Sequence, residues 1–157
     1  MFMKFDLRFL LRAAVIGALY AAVTLLLAPI SYGPLQFRVS EALTLLPILT
    51  PAAVPGLTIG CLVANLLGSS TPWDMVFGTL ATLAAALLTR RFRGRPLLAA
   101  APPVLVNAAV VGLVIALVNG LPLWLTMTEV GVGELGVCYL LGLPLYYALC
   151  RLPGNLW

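Results

Sequence analysis

The chain has 157 residues, 62% of them hydrophobic and 9% charged, with a formal net charge of +4. A soluble domain carries about 25% charged residues, so this composition excludes one and points to a chain that lives in lipid. It contains no His and a single Lys, which excludes a Ser-His triad, an HExxH site and a GxxxxGK[ST] phosphate loop; three scattered cysteines (Cys61, Cys138, Cys150) exclude a conventional zinc or disulfide framework.

Lys4, Arg8 and Arg12 precede the first apolar run, residues 13–30. Such a start imitates a secretory signal, but the run is long enough to span a bilayer and leads into further apolar runs instead of a soluble domain. One membrane domain over residues 1–157 is therefore expected, with its first helix at about residues 10–31. On that helix Ala14, Ala18 and Ala22 recur every four residues, with Ala13, Gly17 and Ala21 on the adjoining stripe. Small residues at this spacing let a second helix approach closely, whether from the same chain or from a partner.

The second and third runs, residues 41–50 and 54–68, are short and joined by a turn holding Pro51 and Pro55. Short helices at membrane depth are tolerated where they line a cavity. A fourth helix at 73–89 runs into the basic loop of Arg90, Arg91, Arg93 and Arg95; a fifth follows at 97–118 and a sixth at 123–149, closed by Arg151. The expected fold is thus an all-α integral membrane protein with six transmembrane helices. Six crossings put both termini and the basic loop on one face, which the positive-inside rule makes cytoplasmic. That face carries eight cations and Asp6, or +7; the other half carries Arg38 and four acids, or −3. Fusing the second and third runs into one span would throw the basic loop outside. Trp73 and Trp124 fall near the outer boundary, and Tyr146, Tyr147 and Trp157 near the inner one, as an interfacial belt requires.

The polar residues inside the spans are few. Asn65 and Asn107 reach near the midplane, and Glu129 and Glu134 lie in the sixth helix. A carboxylate at a helix centre costs on the order of 2.5–3.5 kcal/mol on insertion scales, so two in one helix require compensation. They do not form an acid–base pair on one face: five residues along a helix give ~7.5 Å of rise and about 140° of rotation. Arg38 is the sole cation on the outer side, against Glu41, Asp74, Glu129 and Glu134. The surplus of acids implies an outward-facing pocket for a cationic or donor-rich ligand. Plainer readings stand beside this one. Arg38 and Glu41 are three apart and suit a surface ion pair, Asp74 suits an early-turn acid on the helix dipole, and the two asparagines suit interhelical hydrogen bonds. Trp73 and Trp124 adjoin the acids and suit either the belt or a stacked ligand.

Several stretches are distinctive together: Gln36-Phe-Arg-Val-Ser-Glu-Ala-Leu-Thr-Leu-Leu-Pro47, Ile59-Gly-Cys-Leu-Val-Ala-Asn65, Trp73-Asp-Met-Val-Phe-Gly-Thr-Leu-Ala-Thr-Leu83, Pro102-Pro-Val-Leu-Val-Asn107 and Gly133-Glu-Leu-Gly-Val-Cys-Tyr-Leu-Leu-Gly-Leu-Pro144. In this order they resemble the QueT family of queuosine-precursor transporters, substrate-binding (S) components of bacterial energy-coupling factor (ECF) transporters. The resemblance covers about residues 35–144. It implies a six-helix protein of the bacterial cell membrane that captures a vitamin-like molecule from outside. It further implies a scaffold membrane subunit and two ATPase subunits, which use ATP and release the substrate by toppling the S component; this chain itself carries no cofactor and no metal. Ala14, Ala18 and Ala22 would be the scaffold-docking face. The implied substrates are deazaguanine bases: the cyano and aminomethyl precursors, or queuine.

A guanine-like edge presents adjacent N–H donors to a carboxylate, and an aminomethyl group adds a cation. The resemblance therefore assigns Glu134 or Glu41 to that edge, Asp74 or Glu129 to the amine, Asn65 and Asn107 to the remaining polar edge, and Trp73 to the ring face. Arg38 would hold the carboxylates in register or help close the loop at 32–40. The rival reading, from a different class, is a passive channel or a small proton-coupled cation or drug transporter. Its alanine stripe would be a homodimer seam. An enzyme is not expected, because no nucleophile sits beside a base.

Overall fold

The computed structural model describes residues 6–32, 37–68 and 71–152; Lys4, Trp157 and residues 33–36 of the 32–40 loop lie outside them. Among the described residues every regular element is a helix. Leu7–Leu26 (α1) is apolar on nearly every face, and 20 residues at 1.5 Å each make about 30 Å, a bilayer core. The helix ends at Leu26 and is capped by Leu27, five residues short of the expected end at about 31. A separate turn, Ala28–Ser31 (α2), follows with Pro29 in its first turn, where a missing N–H costs nothing.

The second apolar run is a 3₁₀ helix, Val39–Ile48, of ten residues. At about 2.0 Å per residue it reaches roughly 20 Å, against about 15 Å for an α-helix of the same length. Its three-residue period lines Arg38, Glu41, Thr44 and Pro47 along one edge, and all four are buried. This helix lies at the centre of the bundle, touching α1, α3 (Ala53–Leu67), α4 (Thr79–Arg91), α5 (Pro96–Ala99) and α8 (Leu143–Leu149).

Two helices contain π turns. Asp74–Gly78 leads into α4, and Gly136–Gly142 joins α7 (Leu123–Leu135) to α8, so that 123–149 is one apolar span of 27 residues. At Gly142 an added Cβ would come within 3.3 Å of the Ala42 carbonyl oxygen, so its absence lets the second π turn press on the 3₁₀ helix. Pro96–Asn119 is a second long span, bent at Ala100 between α5 and α6 (Ala101–Asn119). Pro102 and Pro103 occupy the first turn of α6, and Gly120, with φ of 66°, ends it in the left-handed conformation that glycine adopts freely. Three helical stretches, 7–26, 96–119 and 123–149, are long and apolar enough to cross a membrane, and 39–48 and 53–67 are shorter apolar helices. Large side chains such as Leu26 (81% exposed), Leu117 (75%) and Leu140 (73%) cover the outside, as a lipid-facing surface demands.

The α1–α3 seam is closely packed. A Cβ on Gly17 would lie 2.8 Å from the Gly56 carbonyl oxygen, and one on Gly60 would lie 2.6 Å from that of Gly17. The Ala13-Gly17-Ala21 stripe is therefore used within the chain, leaving Ala14, Ala18 and Ala22 outward. Gly60→Leu should destabilise the protein by about 1–3 kcal/mol or more, because the side chain meets backbone that cannot move aside. Gly94→Ala, where nothing lies within 4 Å, should fall within about 0.5 kcal/mol of the parent. Thermal unfolding of both variants in one detergent checks the contrast.

Candidate functional site

The buried face of α1 reads Ile16, Gly17, Tyr20, Ala21 and Thr24, the i, i+1, i+4, i+5, i+8 spacing of one helical stripe. Two polar groups on this stripe grip the 3₁₀ helix one turn apart. The Tyr20 hydroxyl donates to Glu41 Oε1, and Thr24 Oγ1 shares a 2.6 Å hydrogen bond with Ser40 Oγ. Further along that helix, Thr44 Oγ1 donates to the Glu41 carbonyl (2.5 Å).

Arg38 is 7% exposed and Glu41 fully buried. Arg38 Nη2 donates to Asn65 Oδ1 at 3.0 Å, and its guanidinium lies 5.4 Å from the Tyr32 ring centroid, a cation–π contact. The surface ion pair with Glu41 that their spacing allows is thus replaced by a buried bond to α3. Asn65 Nδ2 reaches the Cys61 sulfur (3.5 Å) and the Asp74 carbonyl (3.3 Å), and Thr82 Oγ1 donates to the same sulfur (3.3 Å). Across the core, Asn107 Nδ2 donates to Glu134 Oε1 at 2.9 Å, and the same amide lies beside Glu41. Cys138 Sγ sits 3.8 Å from Glu134 Oε2 and 3.9 Å from the Glu41 carbonyl.

Five of the residues singled out from the sequence, Arg38, Glu41, Asn65, Asn107 and Glu134, thus converge in one buried cluster drawn from the 3₁₀ helix, α3, α6 and α7. One guanidinium faces two carboxylates there. Arg38 Nε and Glu41 Oε2 are buried without a hydrogen-bond partner, a donor and an acceptor on successive turns of one edge. In chemical terms such an arrangement could accept a molecule that presents an acceptor beside N–H donors.

The other three candidates stand apart. Asp74 Oδ2 accepts from Thr71 Oγ1 (2.9 Å) and Thr71 N (3.3 Å), while Asp74 N donates back to Thr71 Oγ1 (3.2 Å). This is a capping box, so the early-turn reading is the one its carboxylate follows. Trp73 is 61% exposed and stacks on Phe77 (6.0 Å, 18°); the pair lines a groove of about 420 Å³ with Val114, Leu117 and Val118. Trp124 is 72% exposed. Glu129 is half-buried on α7 and enters none of the cluster's hydrogen bonds described above. Tyr20, Thr24, Ser40, Thr44 and Cys138 did not stand out in the sequence; the one signal for the first two was a polar pair a turn apart on the small-residue stripe.

A second feature lies on the face of α1 that adjoins this buried stripe. Ala14, Ala18 and Ala22 are exposed, and a groove of about 480 Å³ runs between α1 and α3, lined by Ala14, Gly17, Ala18, Ile59, Gly60 and Val63 among others.

The model of the QueT transporter family matches residues 10–151 of the chain. A relative from Lactococcus lactis subsp. cremoris (strain MG1363), named queuosine precursor transporter QueT, is 41% identical over 86 residues, covering 51% of this chain and 50% of the relative. The match thus spans about half the relative's length. No solved structure matches the chain.

Asn107→Ala should cost about 1–3 kcal/mol, because a buried carboxylate oxygen loses its donor. Asn119→Ala, which removes only an exposed bond to Ile115 of the same helix, should stay within about 0.5 kcal/mol. Unfolding midpoints of the two variants measured side by side check this.

Proposed function

The chain belongs to the QueT transporter family, and from that footing we propose that it is the substrate-binding component of an ATP-driven ECF importer for a queuosine precursor. The observation that carries the substrate class is the buried, unpartnered pair of Arg38 Nε and Glu41 Oε2. A guanine-like ring supplies what each lacks: a carbonyl acceptor for the guanidinium, and adjacent N–H and amine donors for the carboxylate. Glu134, with one oxygen on Asn107 and the other beside the Cys138 thiol, keeps lone pairs for a further donor, and an aminomethyl cation on the base would offset the excess of carboxylate. Asn65 and Asn107 hold Arg38 and Glu134 in place.

For the coupling partners, the outward Ala14, Ala18 and Ala22 and the adjoining groove support docking of a scaffold helix, since small residues permit close approach. ATP is then hydrolysed on two partner subunits. The charge asymmetry supports six crossings with both termini cytoplasmic. In a chain otherwise freed of cysteine, Gly94→Cys should be shielded from a membrane-impermeant maleimide in whole cells and Leu121→Cys should react. The reverse pattern would invert the orientation.

Binding to the purified chain tests the substrate class. The cyano and aminomethyl deazaguanines or queuine should raise its unfolding temperature, by an amount corresponding to about 2.7 kcal/mol at a hundredfold excess over Kd, and guanine should do so less. Equal stabilisation by guanine would leave a purine carrier and remove the queuosine assignment. Glu134→Gln should weaken precursor binding about tenfold or more, and parental affinity would sink that residue's role. Co-purification with ATPase subunits supports the importer. Proton-gradient-dependent transport by the lone chain would favour the proton-coupled transporter reading instead.

A further inference from the structure

Glu41 offers the ligand one oxygen because a residue on another helix holds the other. Tyr20 is fully buried, and its hydroxyl carries one proton, donated to Glu41 Oε1. At its root the tyrosine meets α3 closely: a Cβ on Gly60 would lie 3.0 Å from the Tyr20 Cβ. One turn further on, Thr24 holds Ser40, the residue before Glu41. The carboxylate is therefore fixed both through its own oxygen and through its backbone neighbour. With Oε1 engaged, Oε2 is left facing inward without a partner, three residues from Arg38 and its unpartnered Nε.

We propose that Tyr20 is a positioning residue that sets selectivity: by holding Glu41 Oε1 it aims Oε2 at the exocyclic amine of a guanine-like ligand. This rests on the reading of the cluster as a deazaguanine site. A carboxylate released from the phenol can rotate and present either oxygen, and it loses its preference between ligands that differ by one donor. A site that hydrogen-bonds a specific ligand group rejects an analogue lacking that group far more strongly than an apolar pocket does. The preference thus depends on a side chain that never touches the ligand.

The measurement is the ratio of dissociation constants for 7-deazaguanine and 7-deazahypoxanthine, which lacks the amine, on the full chain in detergent. The parent should prefer the amine-bearing base by at least about tenfold. Tyr20→Phe should bring the ratio close to one, and in a Glu41→Gln background it should have little further effect, since both changes act through one carboxylate. A merely structural tyrosine would weaken both bases by the same factor and add to Glu41→Gln; either result overturns the proposal. Tyr20→3-fluorotyrosine keeps the shape and strengthens the donor, so it should raise the ratio. An unchanged ratio overturns the proposal even where Tyr20→Phe fails to fold. A parent that binds neither base refutes the functional reading before any variant is made, whereas a binding parent with an unaltered ratio in Tyr20→Phe refutes the role of Tyr20 alone.

Discussion

Taking a guanidinium and two carboxylates out of water costs several kcal/mol per ion unless each meets opposite charge or hydrogen-bond donors. Around Arg38, Glu41 and Glu134 the helices answer that demand with Tyr20, Asn65, Asn107 and Cys138, one contribution from each of α1, α3, α6 and the second π turn. None of these partners lies near another in the chain, so the cluster exists only when the helices have assembled. The Leu- and Val-rich outer surface gives no comparable direction, because lipid is as apolar as the side chains it touches. Polar matching inside and close glycine contacts at the α1–α3 seam together specify which helix goes where.

The 3₁₀ helix is the element on which that matching turns. With three residues per turn, Arg38, Glu41 and Thr44 repeat along one line instead of drifting around the helix. Long 3₁₀ runs are uncommon because their hydrogen bonds are poorer, and this one is held from outside its own backbone by Tyr20, Thr24 and the close approach of Gly142. The same contacts that keep the winding tight also hold Arg38 and Glu41 on successive turns of one edge.

Much of this was legible in the residues themselves. Charge counting and the rarity of polar groups in apolar spans brought out Arg38, Glu41, Asn65, Asn107 and Glu134, because each is expensive where it stands. The 3₁₀ winding was not legible, since a ten-residue apolar run carries no mark of three residues per turn as against 3.6, and the choice is made by packing. Tyr20 escaped for a related reason: in a membrane chain a tyrosine reads as belt or core, and only the tertiary fold shows what its hydroxyl meets. Asp74 shows the converse. Thr71-Pro-Trp-Asp74 carries a capping pattern in plain sequence, and the structure forms that box.

The π turns at 74–78 and 136–142 each fit an additional residue into a continuous helix. One residue changes the phase of everything beyond it by about 100°, so the second turn decides which faces of Leu143–Leu149 meet the 3₁₀ helix. Related chains that differ here by a single residue would keep the helix and change its winding. In an alignment of such chains, a one-residue gap inside an uninterrupted membrane helix would then record a rotated helix face, and not a shortened loop.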